Sequence, residues 1–76
     1  MNKERRKRIE QLNTKLSEAK DELEAIKDEE QEYYDNMPEG LQSGEKGEKA
    51  QEAVDCMDEG VSNLETLIDG LNDAIG

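Results

Sequence analysis

The chain has 76 residues, 41% of them charged and 32% apolar, with 21 acids against 10 bases and a net charge of −11. It contains no Phe, Trp or His, two Tyr and one cysteine, Cys56. A chain this short and this poor in apolar groups needs disulfides, a metal or a partner copy to fold stably. Composition excludes a disulfide framework and a His-based zinc site, which leaves self-association.

The same inventory removes several function classes. Without His there is no Ser-His-Asp triad, and one cysteine makes no CxxC redox pair. The net charge disfavours nucleic acid and anionic membranes as partners. High charge with few apolar residues is also the signature of disorder, but a regular apolar period argues for helices instead. No run approaches the roughly 20 apolar residues that span a bilayer, and no apolar segment follows the basic start as in a signal peptide. The expectation is a cytoplasmic protein with Cys56 as a reduced thiol.

In chain order, residues 1–8 form a basic stub of Lys3, Arg5, Arg6, Lys7 and Arg8 against Glu4. Ile9, Leu12, Leu16, Ala19, Leu23, Ile26, Glu30, Tyr33 and Met37 follow at alternating steps of three and four. Such steps place every member on one stripe of a helix, predicted over about 3–35. Glu30 is the polar member of that stripe, expected either to loosen packing near the turn or to fix register, and a lone polar seam residue usually does the latter. Pro38 disfavours helical geometry at Met37, so the helix should end near Asp35 or Asn36. Pro38-Glu39 suits the start of a short helical turn ending at Gly40. After a linker over about 36–44, Ser43 is the expected N-cap of a second helix over about 45–75, with Glu45 well placed in its first turn.

The second helix repeats the rhythm through Ala50, Val54, Met57, Val61, Leu64, Ile68, Leu71 and Ile75. Ala53, Gly60, Leu67 and Ala74 form a second line at intervals of seven, mostly small residues. Helix-interior glycine costs about 1 kcal/mol relative to Ala, so Gly60 and Gly70 mark either close packing or a weakened helix.

Folded back antiparallel, the helices bring the basic stub near Asp69 and Asp73, Lys15 and Lys20 near Glu65, and Lys27 near Asp55 or Asp58. Each exposed pair contributes only ~0–1 kcal/mol, so these pairs select orientation more than they stabilise. The predicted fold is all-α, a single antiparallel helical hairpin spanning the chain. One stripe per helix buries little, so two hairpins are expected to form a homodimeric four-helix bundle. Its expected interface is Leu12, Leu16, Leu23 and Ile26 with Val54, Met57, Val61, Leu64, Ile68 and Leu71.

No catalytic, metal or cofactor constellation emerges. Asp55-Cys56-Met57-Asp58-Glu59-Gly60 superficially resembles a calcium loop, but its third and twelfth ligand positions fall on Met57 and Thr66. Ser43-Gly44-Glu45-Lys46-Gly47-Glu48-Lys49 lacks the Gly-Lys-Ser/Thr ending of a P-loop, and its glutamates repel phosphate. Carboxylate pairs such as Asp28-Glu29 and Asp58-Glu59 lack the confinement that separates catalytic pKa values. A hairpin without a water-excluding pocket is expected to be no enzyme. The linker is the least ordinary stretch: Tyr34, Met37 and Leu41, ringed by Asp35, Glu39 and Glu45, have the makings of a protein-binding tip.

Tyr34-Asp35-Asn36-Met37-Pro38-Glu39-Gly40-Leu41-Gln42 resembles the Tyr-Asp-Asn-x-Pro-Glu-x-Leu-Gln linker of short, acidic, two-helix proteins encoded by bacteriophages and prophages. The resemblance extends loosely over the whole chain. It implies an accessory phage protein in the host cytoplasm and carries over no activity residue by residue.

One expected function is inhibition of a host protein through acidic faces. Glu48, Glu52, Asp55 and Glu59 recur about 6 Å apart along a helix, near the phosphate spacing of a nucleic-acid strand. Two other readings fit the same sequence. In the first, an oligomer sequesters a nucleotide messenger between Tyr34 and Lys46, Lys49 or the N-terminal arginines. In the second, the chain is a structural coiled coil.

Overall fold

A computed structural model describes all residues, 1–76, as three helices: α1 (Lys3–Asp35), α2 (Glu39–Gln42) and α3 (Glu45–Ile75). The molecule is a rod of 58 × 15 × 13 Å in which α1 and α3 pack along their lengths. Asn2 caps α1, its Oδ1 accepting from the Arg5 N–H at 2.8 Å. That cap satisfies one of the donors a helix N-terminus leaves unpaired.

The corner between the long helices is one helical turn. Pro38 opens it, and its carbonyl accepts from Leu41 and Gln42. The expected N-cap is corrected here: Ser43 ends α2, donating its hydroxyl to the Glu39 carbonyl at 3.3 Å, while Gly44 caps α3 without a side-chain bond. The chain has four residues of helix to close before α3 begins, so the Ser43 hydroxyl serves the helix behind it. Gln42 reaches back and donates Nε2 to the Tyr34 carbonyl at 3.0 Å and the Asp35 carbonyl at 3.5 Å. It thereby reaches the Asp35 carbonyl, which the end of α1 leaves without a backbone donor, and adds a second bond to the Tyr34 carbonyl, which also accepts from the Met37 N–H at 3.1 Å. The corner lies against α3 at Gly47, where a Cβ would run into the Gln42 backbone.

On α3 the packed face is the predicted stripe. Ala50, Val54 and Val61 are buried, and Met57, Leu64, Ile68, Leu71 and Ile75 half-buried. On α1 the face is rotated by one position. Ile9, Leu16, Leu23, Glu30 and Met37 stay on the packed side, but their companions are Asn13, Lys20, Lys27 and Tyr34. Leu12, Ala19, Ile26 and Tyr33 lie exposed.

Polar pairing explains the rotation. The Asn13 amide donates to Asn72 Oδ1 at 2.8 Å, Lys20 meets Glu65 at 3.4 Å, and Lys27 meets Asp58 at 3.1 Å. These pairs sit seven residues apart on both helices, so one antiparallel register satisfies all three. The lysine stems lie over the contact while their ammonium groups stay at its rim. Turning α1 the other way would forfeit the pairs. Register is therefore carried by Asn13, Lys20 and Lys27, where the sequence pointed to Glu30.

The hairpin is thinly built. Five residues are buried, one of them the polar Asn13, and no side chain is wholly enclosed. No helix is long and apolar enough to cross a membrane.

Candidate functional site

The rotation of α1 divides the predicted tip. Tyr33 and Tyr34 are neighbours on a helix about 100° apart, and they line different grooves. Tyr33 joins Met37, Pro38, Leu41 and Lys46 around a shallow groove. It also lines the adjoining surface formed by Glu30, Lys49 and Ala53. Tyr34, half-buried, lies instead with Gln42, Gln51, Glu48, Glu52 and Asp55. The structure thus brings Tyr34 together with three members of the predicted acidic row and separates it from Met37 and Leu41. Tyr33, which the stripe had assigned to packing, is the exposed aromatic of the tip.

Glu48, Glu52, Asp55 and Glu59 are all exposed on the outer side of α3. None has a lysine or arginine within ion-pair distance, the three ion pairs of the chain being Lys20–Glu65, Lys27–Asp58 and Lys49–Glu45. Asp55 accepts a hydrogen bond from Gln51 at 3.2 Å, and Asp35 one from Gln31 at 2.9 Å. These amides orient their carboxylates without neutralising them. Glu39 is exposed in the first turn of α2. The acidic row therefore has no counter-charge within the chain, and mutual repulsion over i,i+3 and i,i+4 steps is the cost of holding it there.

The basic stub pairs with nothing in the chain: Arg5, Arg6 and Arg8 form no ion pair with Asp69 or Asp73. Arg5, Arg8 and Lys15 surround a shallow depression with Met1, Ile9 and Leu12 instead. Lys46 and Lys49 lie on the Tyr33 side, so within one chain they do not converge with Tyr34. Lys27 has a displaced ionisation. Its hydrogen bond to Asp58, reinforced by the charges of Asp58, Asp28 and Glu24 and opposed by slight desolvation, holds the ammonium pKa above the ordinary 10.5.

Leu16, Leu23, Val54, Met57, Val61, Leu64, Ile68 and Leu71, expected between subunits, here close the contact between α1 and α3 of one chain. Leu12 and Ile26 remain free of it. Reading by residue type missed two positions. Gln42 looked like a linker residue, although its long amide reaches back to the Tyr34 and Asp35 carbonyls at the end of α1. Leu67, exposed on α3, was grouped with the small residues beside it. No protein family, curated protein or solved structure matches the chain.

Proposed function

We propose that this hairpin is a non-enzymatic interaction protein that occupies a basic groove of a protein partner and blocks it. In the setting its linker resemblance implies, the carrier is a bacteriophage and the partner a host protein, an anti-defence role. The contact surface is the outer side of α3 with Tyr34. The observation that carries this reading is the row Glu48, Glu52, Asp55 and Glu59, exposed, unpaired and flanked by a half-buried tyrosine. Carboxylates about 6 Å apart on a rigid helix offer a basic groove the charge repeat it normally receives from nucleic acid. Tyr34 adds an aromatic body with a polar tip, a residue type enriched in protein interfaces.

The test compares wild type with the variant Glu48→Gln/Glu52→Gln/Asp55→Asn/Glu59→Gln as baits in bacterial lysate, followed by mass spectrometry. A basic protein retained by wild type alone, and displaced by duplex DNA, is expected. Its affinity should fall steeply as salt rises, since exposed charge pairs are screened within about 10 Å at 0.1 M. A partner held equally by both baits, or one indifferent to salt and to DNA, refutes the proposal.

A further inference from the structure

One face of the rod is left incomplete. Leu12, Ile26, Tyr33 and Leu67 are each about half exposed, at 46%, 47%, 53% and 47%, and three of the four belong to the α1 column that the rotation turns outward. The register set by Asn13–Asn72, Lys20–Glu65 and Lys27–Asp58, carried across the contact to its opposite edge, places Leu12 beside Ala74 and Ala19 beside Leu67. It likewise places Ile26 beside Gly60 and Tyr33 beside Ala53, the last two residues lining one groove. Every level of the face thus holds one large and one small side chain. No other side of the rod has this character. The opposite edge is filled by the polar pairs, and the outer side of α3 is acidic.

We propose that a second copy of this chain covers this face, packing antiparallel so that α1 lies on the partner's α1 and α3 on the partner's α3, with the two-fold axis near Ala19. Charge selects this arrangement. Arg8, Lys15, Glu22 and Glu29 flank the apolar column at intervals of seven, all exposed, basic toward the N-terminus and acidic toward the corner. Running two such flanks in opposite directions sets Lys15 against Glu22 of the other copy and Arg8 against Glu29, each pair made twice. The same step puts Leu12 against Ile26, Ala19 against Ala19 and Tyr33 against Arg5, whose guanidinium suits an aromatic face. Stacking α1 on the partner's α3 offers no such pairing, because the flank of α3 there is Cys56, Asn63 and Gly70.

Two further observations favour a copy as the occupant. In a chain of net charge −11, the strip of α3 that meets its own image, from Cys56 through Gly60, Asn63, Leu67 and Gly70 to Ala74, carries no carboxylate. A second rod of the same 58 Å length is also long enough to cover the whole column from Leu12 to Tyr33. The acidic row and Tyr34 stay outside this contact, so the dimer presents them at both ends, and the assignment does not depend on the proposed function.

Sedimentation equilibrium on the full chain tests it, with circular dichroism confirming that each variant stays helical. Wild type is expected at twice the 8.6 kDa chain mass. Lys15→Glu and Glu22→Lys should each weaken the dimer about tenfold, because each turns two attractive pairs repulsive. Combined in one chain, the two changes should restore most of the affinity. Leu12→Glu/Ile26→Glu should give a helical monomer. In a Cys56→Ser background, Ala19→Cys should form a disulfide between identical positions under glutathione disulfide. A wild-type monomer at every concentration, a charge swap that restores nothing, or failure of Ala19→Cys to cross-link overturns the arrangement.

Discussion

Substituting Gly47 by Ala reverses the usual sign of a helix substitution. In an ordinary helix the exchange stabilises by up to about 1 kcal/mol. Gly47, however, lies under the corner, and a Cβ there would come within 2.6 Å of Gln42 Cα and collide with the Gln42 carbonyl. The obstacle is backbone, so no rotamer change relieves it, and the corner must retreat by about 1 Å or more to reach ordinary contact. That retreat draws Gln42 Nε2 away from the Tyr34 carbonyl, 3.0 Å distant in the native corner. Losing the bond costs about 1 kcal/mol, while the Tyr34 carbonyl keeps its bond from the Met37 N–H. Overpacking of this kind costs about 1–3 kcal/mol in total.

After the propensity gain is subtracted, Gly47→Ala should destabilise by about 1–2 kcal/mol, lowering the melting temperature by several degrees. Gly70→Ala is the internal control. Nothing lies within 4 Å of a Cβ at that position, so it should stabilise by up to about 1 kcal/mol. Urea unfolding followed by helical circular dichroism measures both, at matched protein concentrations because the proposed dimer would add to apparent stability. A Gly47→Ala midpoint at or above that of wild type would refute the close approach of corner and helix.

Four further outcomes follow from the same geometry. Gln42→Ala should cost about 1 kcal/mol and raise amide exchange in the last turn of α1, whereas unchanged exchange there would deny Gln42 its capping role. Asn13 is 9% exposed and its Oδ1 has no partner, so Asn13→Leu should hold or raise the unfolding midpoint while loosening register. Doubled amide resonances along α1 would report that slippage. Val61, 6% exposed, has no cation to pair with, so Val61→Asp should cost about 3 kcal/mol or more and abolish cooperative unfolding. Lys27 is held above 10.5 in the folded chain. Its contribution is therefore complete below that pH and is lost as pH rises through the elevated value. Titration of the Lys27 ammonium by NMR should show a lower midpoint in Asp58→Asn, and an unmoved midpoint would exclude the hydrogen bond as its cause.

The two long helices were legible in the chain because their evidence is local: apolar residues at steps of three and four, Pro38 to stop the first, and a small polar linker. The packed face of α3 was legible for a related reason. Both columns of its stripe are apolar, so no rotation competes with burying them. The acidic row was equally plain, since an exposed charge on a helix needs no partner to be placed.

What only the tertiary structure decided is how far α1 turns about its own axis. Ile9, Leu16 and Leu23 belong to the contact in either rotation, and the choice falls between a column of Leu12, Ala19, Ile26 and Tyr33 and a column of Asn13, Lys20, Lys27 and Tyr34. Apolar periodicity favours the first. The second prevails because Asn72, Glu65 and Asp58 stand opposite it in one register, which no feature of α1 alone reveals. That single rotation seats Tyr34 among the carboxylates and leaves an apolar column, Tyr33 included, facing out. Periodicity names the residues that avoid water, and the neighbouring helix determines which of them it covers.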